Sequence, residues 1–160
     1  MDQINKTLND KLGIILNLLD ENKHEFEVME KSIRNEDVKE LIIQLIQKNG
    51  EYYNALTSTL EKIGKRKSAN RHQRGFAATA YKEGKESNED FLEKCSRSES
   101  IFERAYRDVL NSWFTQESLR DMMKDQLNEI KCTFMKMRIL YMVKNNMIYP
   151  HSLRRRVLEA

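Results

Sequence analysis

Apolar residues return at steps of three and four through four long stretches of this chain, and few turn-forming residues interrupt them. The first stretch carries Ile4, Leu8, Leu12, Ile15, Leu19, Asn22, Phe26, Met29 and Ile33. Steps of that size keep returning to one face of an α-helix, so they predict an amphipathic helix over about residues 3–33. A second stripe reads Val38, Ile42, Ile46, Asn49, Tyr53, Leu56, Leu60 and Ile63, widened by Leu41, Leu45 and Tyr52; it predicts a helix over about 36–63. A third, over about 88–111, reads Leu92, Cys95, Glu99, Phe102, Tyr106 and Val109, flanked by Phe91, Ser98, Ala105 and Leu110. The fourth, over about 116–143, reads Leu119, Met123, Gln126, Ile130, Phe134, Met137 and Tyr141. With 5 glycines and 1 proline, the chain lacks the turn residues that many short strands would need.

Local signals place the helix ends. Asn35 is the expected N-cap of the second helix, with Glu36 and Asp37 on its positive end. Gly64 is a natural stop, Ser87 with Asp90 a capping-box-like start, and Thr115 the expected cap of the fourth helix. The first and second helices are joined tightly, as are the third and fourth, which predicts two antiparallel hairpins. Between them lies a crossover over residues 65–87. Its start is basic (Lys65, Arg66, Lys67, Arg71, His72, Arg74), and a short helix is expected over about 70–82, with Phe76, Ala77, Ala80 and Tyr81 on one side. Two hairpins joined by one long crossover make an all-α, ferritin-like antiparallel four-helix bundle over residues 1–144, followed by a basic tail over 145–160.

Charge narrows the partners. The chain has 28 Lys and Arg against 25 Asp and Glu, a formal net charge of +3. So near a balance gives no expectation of nucleic-acid binding, and the Lys65–Arg74 run reads as a solvated loop. No stretch approaches the roughly 20 apolar residues of a membrane span. Asp2, Lys6, Asp10, Lys11 and Asp20 leave no signal-peptide-like apolar run, so the expected location is cytoplasmic. Cys95 and Cys132 fit no CxxC pattern and are expected as reduced core thiols, with a disulfide between them as the alternative. Met122, Met123, Met135, Met137 and Met142 read as core filler. The tail residues Arg154, Arg155 and Arg156 read as a mobile end.

Each stripe holds one polar member: Asn22, Asn49, Glu99 and Gln126. Their distances from the two turns agree, which predicts a polar layer at mid-height in the core. Ferritin-like di-metal proteins keep their ligands there, as a Glu from each of two helices and a Glu-x-x-His from each of the others. This chain has 3 histidines, of which His72 and His151 fall outside the four helices. Its single Glu-x-x-His, Glu21 to His24, lies beside the stripe. The layer is therefore expected to be structural, its members hydrogen-bonding one another and fixing register, with no metal or cofactor. The alternative is an iron or manganese site built from Glu25, Glu27, Glu51 and Glu99. If Glu99 is buried, desolvation is expected to disfavour its charged form unless a neighbour such as Arg97 or Lys131 compensates. Glycine-rich phosphate loops, GxSxG elbows and Cys–His nucleophile pairs are missing, so no catalytic residue is assigned.

Three segments resemble a bacterial ferritin-like four-helix-bundle family of the Pseudomonas type, classified as a domain of unknown function. Within Leu18–Ile33 the family's E-G-Y-like triplet corresponds to Glu27, Val28 and Met29. Within Cys95–Leu110 the match falls at Cys95, Arg97, Glu99, Ala105, Tyr106, Arg107 and Leu110. Within Gln126–Leu140 the family keeps the Gln and often a His seven or eight residues on, where this chain has Phe134. The resemblance spans about residues 10–142 and implies the ferritin-like fold without an activity; such proteins are associated with stress functions. The expected function is a non-enzymatic, stress-related interaction protein, a homo-oligomer or the partner of another protein. The alternatives are a divergent di-metal carboxylate store or oxidase, and a binder of a small apolar ligand between the helices.

Overall fold

The computed structural model describes residues 2–63, 88–113 and 115–146. They form four α-helices and, among the described residues, no strand. These are α1 (Asp2–Ser32), α2 (Glu36–Ile63), α3 (Asn88–Leu110) and α4 (Glu117–Lys144). The expected short crossover helix, the Gly64 stop, the Ser87 start and the basic tail lie outside the described residues.

Packing follows the stripes. In α1 the core face is Leu8, Leu12, Ile15, Leu19, Phe26 and Met29, all buried, with Ile33 just beyond its end. The expected stripe of α4 is buried throughout, from Leu119 to Tyr141. In α2 and α3 the buried line is displaced by one residue at several places. Leu45 and Tyr52 are buried where Ile46 and Tyr53 were expected, and Phe91 and Ser98 where Leu92 and Glu99 were. Neighbouring residues on a helix lie about 100° apart, so either member of such a pair fits the period, and the neighbouring helices select between them.

The helices form a ring. α1 packs against α2 and α3, and α4 packs against the same two; the diagonal pairs α1/α4 and α2/α3 make no close backbone approach. Aromatic rings fill the centre. Phe134 meets Phe26 edge-on at 5.7 Å and Phe102 at 6.3 Å between ring centroids. Phe91 stacks on Tyr141 at 4.2 Å. Edge-to-face and offset pairs of this kind add about 0.5–1.5 kcal/mol each to the burial of their area.

The turns differ in how their backbone groups are satisfied. Asn35 caps α2 as expected: its Oδ1 accepts from the backbone N–H groups of Asp37 and Val38 at 3.0 and 3.1 Å. Thr115 does not cap α4. The N-cap is Gln116, which makes no side-chain cap bond. The Thr115 hydroxyl instead donates to the Val109 carbonyl at 2.7 Å, back into the end of α3. The last carbonyls of α3 need donors more urgently, because the turn buries them. Arg120 from α4 donates to the carbonyls of Leu110 and Ser112, completing that closure. At the far end Asn146 takes a left-handed φ of 54°, and the Asn145 and Asn146 N–H groups bond Tyr141 and Val143 as α4 stops.

Candidate functional site

Asn22 on α1 and Asn49 on α2 are buried and meet directly. The Asn49 amide donates to Asn22 Oδ1 at 2.8 Å. A buried carboxamide carries donors and acceptors that burial would otherwise leave unmet, and this bond satisfies the Asn22 acceptor and one Asn49 donor, while Asn49 Oδ1 has no hydrogen-bond donor among the described residues. Gln126 does not join them. Its Oε1 accepts from the Tyr106 hydroxyl at 2.7 Å, a buried bond between α3 and α4. Burial holds the Tyr106 phenol well above its ordinary pKa, so it remains a donor.

Glu99 is partly buried, at 18% side-chain exposure, and its carboxylate pairs with the Arg138 guanidinium on α4. The compensating neighbour is neither Arg97 nor Lys131. Arg97 lies 3.8 Å from Glu25, and Lys131 bonds Glu103 at 3.1 Å. Lys131 and then Arg107 hold the Glu103 carboxyl below its ordinary range. The expected layer is thus three separate pairs: Asn22 with Asn49, Gln126 with Tyr106, and Glu99 with Arg138.

The four alternative metal ligands are not assembled. Glu25 approaches α3 at Arg97, Glu27 sits beside His24, Glu51 pairs with Lys48 at 3.3 Å, and Glu99 holds Arg138. Among the described residues no three His, Cys, Asp or Glu side chains form a group that could hold a metal ion. His24 is exposed, 3.6 Å from Asp20 and 3.3 Å from Glu27. Its partner in the Glu-x-x-His spacing, Glu21, has its pKa raised by burial and by Asp20. Phe134, where the resembled family often has His, is a fully buried ring at the bundle centre.

One feature was not foreseen from the sequence. A polar groove of about 320 Å³ runs between α2 and α4, lined by Gln44, Gln47, Lys48, Tyr52, Glu129 and Lys136 among others. Within it the Tyr52 hydroxyl donates to the Glu129 carboxylate. Burial, and then that carboxylate, push the Tyr52 pKa up, so the phenol stays protonated and is no general base. Lys48 stands 3.8 Å from the same carboxylate. The only hint in the sequence was the adjacent pair Tyr52 and Tyr53, of which one had to face α4.

Both cysteines are free thiols, and only Cys95 is in the core; Cys132 is exposed on α4. Met123 and Met137 are buried as core filler, whereas Met135 is exposed. No helix among the described residues is long and apolar enough to cross a membrane. No family model, curated protein or solved structure matches the chain.

Proposed function

We propose that the chain is a ferritin-like antiparallel four-helix bundle that has no complete di-metal centre and acts through protein contacts, as a homo-oligomer or with another protein. Partner numbers support the antiparallel reading. Along α2 and α4 they run from Asp37 with Lys144 to Tyr52 with Glu129. Along α1 and α3 they run from Lys11 with Asp108 to Glu25 with Arg97. Along α3 and α4 they run from Glu99 with Arg138 to Glu103 with Lys131. In each case one number rises as the other falls. Antiparallel neighbours around this ring leave α2 and α3 parallel, which calls for one long crossover between two hairpins, the ferritin-like connectivity.

The observation that carries the functional reading is the pairing of these polar side chains with protein groups. Asn22 is bonded to Asn49, and the Glu99 carboxylate is neutralised by Arg138. A carboxamide is a poor ligand for iron or manganese, and a carboxylate held by a guanidinium must give up that partner to bind a cation. Trp113, 81% exposed at the α3–α4 turn, is the kind of aromatic anchor that protein interfaces use. Stress association and a cytoplasmic setting complete the proposal.

The test is elemental analysis of full-length protein from cells supplied with iron and manganese, with light scattering on the same sample. The proposal expects less than about a tenth of a metal per chain and a mass above that of the single chain, or a single chain that captures a partner through Trp113. A stoichiometry near the two ions that such bundles hold would overturn it.

A further inference from the structure

We infer that the groove between α2 and α4 binds a small, extended zwitterion, with an ammonium at one end and a carboxylate at the other. The groove encloses about 320 Å³, a volume at the lower end of the roughly 300–1,000 Å³ of small-molecule sites. Its layout follows from the pairs that join the two helices, Asp37 with Lys144 and Tyr52 with Glu129. The same register sets Glu51 level with Glu129 at one end of the groove and Gln44 level with Lys136 at the other, with Lys48 and Cys132 between them. The two ends lie seven residues apart on each helix, about 10 Å at 1.5 Å per residue.

The two ends carry opposite charge. At the first, the Lys48 ammonium lies 3.3 Å from Glu51 and 3.8 Å from Glu129, so one cation serves two carboxylates. The Tyr52 hydroxyl donates to the Glu129 carboxylate and holds it in place. One negative charge is left unbalanced there. At the second end, Lys136 makes no ion pair among the described residues, and the Gln44 and Gln47 carboxamides make no hydrogen bond among them. All three side chains are exposed, so an ammonium and two amide donors are open to an anion.

A ligand with one charge fits only half of this arrangement. A simple anion drawn to Lys136 meets the surplus carboxylate further along, and a simple cation drawn to that carboxylate meets Lys136. A molecule that carries both charges about 10 Å apart satisfies both ends at once. An extended ω-amino acid such as 8-aminooctanoate and a tripeptide both have roughly that span. Two unit charges about 4 Å apart in water-like surroundings shift an equilibrium about fivefold, and the zwitterion gains that at each end. The inference rests on the register of α2 and α4 and is independent of the protein-contact reading above.

Cys132 supplies the test, because it is a free, exposed thiol on the groove wall between the two ends. The full-length chain is alkylated with iodoacetamide at low salt, and the rate at Cys132 is followed by mass spectrometry while 8-aminooctanoate or trialanine is titrated in. Each probe is compared with its own one-ended forms, the carboxyl amidated or the amine acetylated. The inference expects the zwitterion to protect Cys132 at a concentration about fivefold lower than either one-ended form. The more potent of the two probes assigns the site to amino acids or to peptides. In Lys136→Gln the advantage over the amidated form should vanish, and in Glu51→Gln the advantage over the acetylated form should fall; both positions are exposed. Absence of protection, equal potency of the one-ended forms, or an advantage over the amide that persists in Lys136→Gln would each overturn the inference.

Discussion

Replacing Asn22 by leucine removes the acceptor of the buried Asn49 amide. The two carboxamides meet at 2.8 Å, and Asn49 is 1% exposed, so no solvent replaces the lost partner. Asn49 Oδ1 already has no hydrogen-bond donor among the described residues, so Asn22→Leu would leave the whole carboxamide unmet. An unsatisfied buried polar group costs about 1–3 kcal/mol. Leucine shares asparagine's branching and buries apolar surface, which offsets part of that cost in each single variant. The coupling between the two positions escapes that offset. Asn22→Leu with Asn49→Leu removes both partners together and should be at least as stable as the parent, and more stable than either single variant. The expected coupling energy is about 2 kcal/mol. At roughly 2–4 °C per kcal/mol for a chain of this size, that is a difference of about 4–8 °C in Tm from additivity. Urea unfolding of the four proteins, followed by far-ultraviolet circular dichroism, measures it. Single effects that add to within about 0.5 kcal/mol would refute the reasoning, because they would mean that the two side chains do not depend on each other.

Further outcomes are expected for five single substitutions. Phe134→Ala should cost about 3–5 kcal/mol in urea unfolding, since it empties the point where rings from α1 and α3 converge. Arg120→Met should cost about 2 kcal/mol, because the carbonyls of Leu110 and Ser112 lose a charged donor in a part-buried turn. Gly50→Ala should stabilise by about 0.5–1 kcal/mol: the glycine is mid-helix and a Cβ there meets nothing within 4 Å. Two carboxyls should show opposite pH signatures. The lowered pKa of Glu103 adds stability that is present above its unfolded value of 4.5 and lost as pH falls through the lower folded value, so Glu103→Gln should flatten the acid limb of the stability curve. The raised pKa of Glu21 is a penalty present at pH 7 and relieved as pH falls through the folded value toward 4.5, so Glu21→Gln should raise the urea midpoint at neutral pH and lose that advantage in acid.

The helices were legible in the sequence because a period near 3.6 survives local noise: nearly every stripe residue of α1 and all those of α4 are buried. Where two apolar residues sit side by side, period alone does not choose. Tyr52 faces the core and groove rather than Tyr53, and Phe91 rather than Leu92, because the neighbouring helix decides which side receives the ring. The same one-residue displacement puts Ser98 inside and turns Glu99 toward Arg138. The pairing of Asn22 with Asn49 could be anticipated from the tight α1–α2 turn, which fixes register. The partner of Gln126 could not, because Tyr106 looked like one more apolar member of its stripe while its hydroxyl was the group that mattered. Thr115 has the chemistry of an N-cap, and only the buried carbonyls of α3 explain why its hydroxyl turns the other way.

The account holds that the polar side chains of this level pair within the protein and leave no carboxylate cluster for a metal, so its stability should be indifferent to the metals that ferritin-like sites hold. Thermal unfolding of the full-length chain, after chelator treatment and then in excess iron(II) or manganese(II), tests this directly. A ligand at a hundred times its Kd would add about 2.7 kcal/mol, roughly 5–10 °C in Tm for a chain of this size. The expected result is a midpoint that moves by less than about 1 °C, a small fraction of that shift. A rise of several degrees that grows with metal concentration and disappears in Glu99→Gln would contradict it.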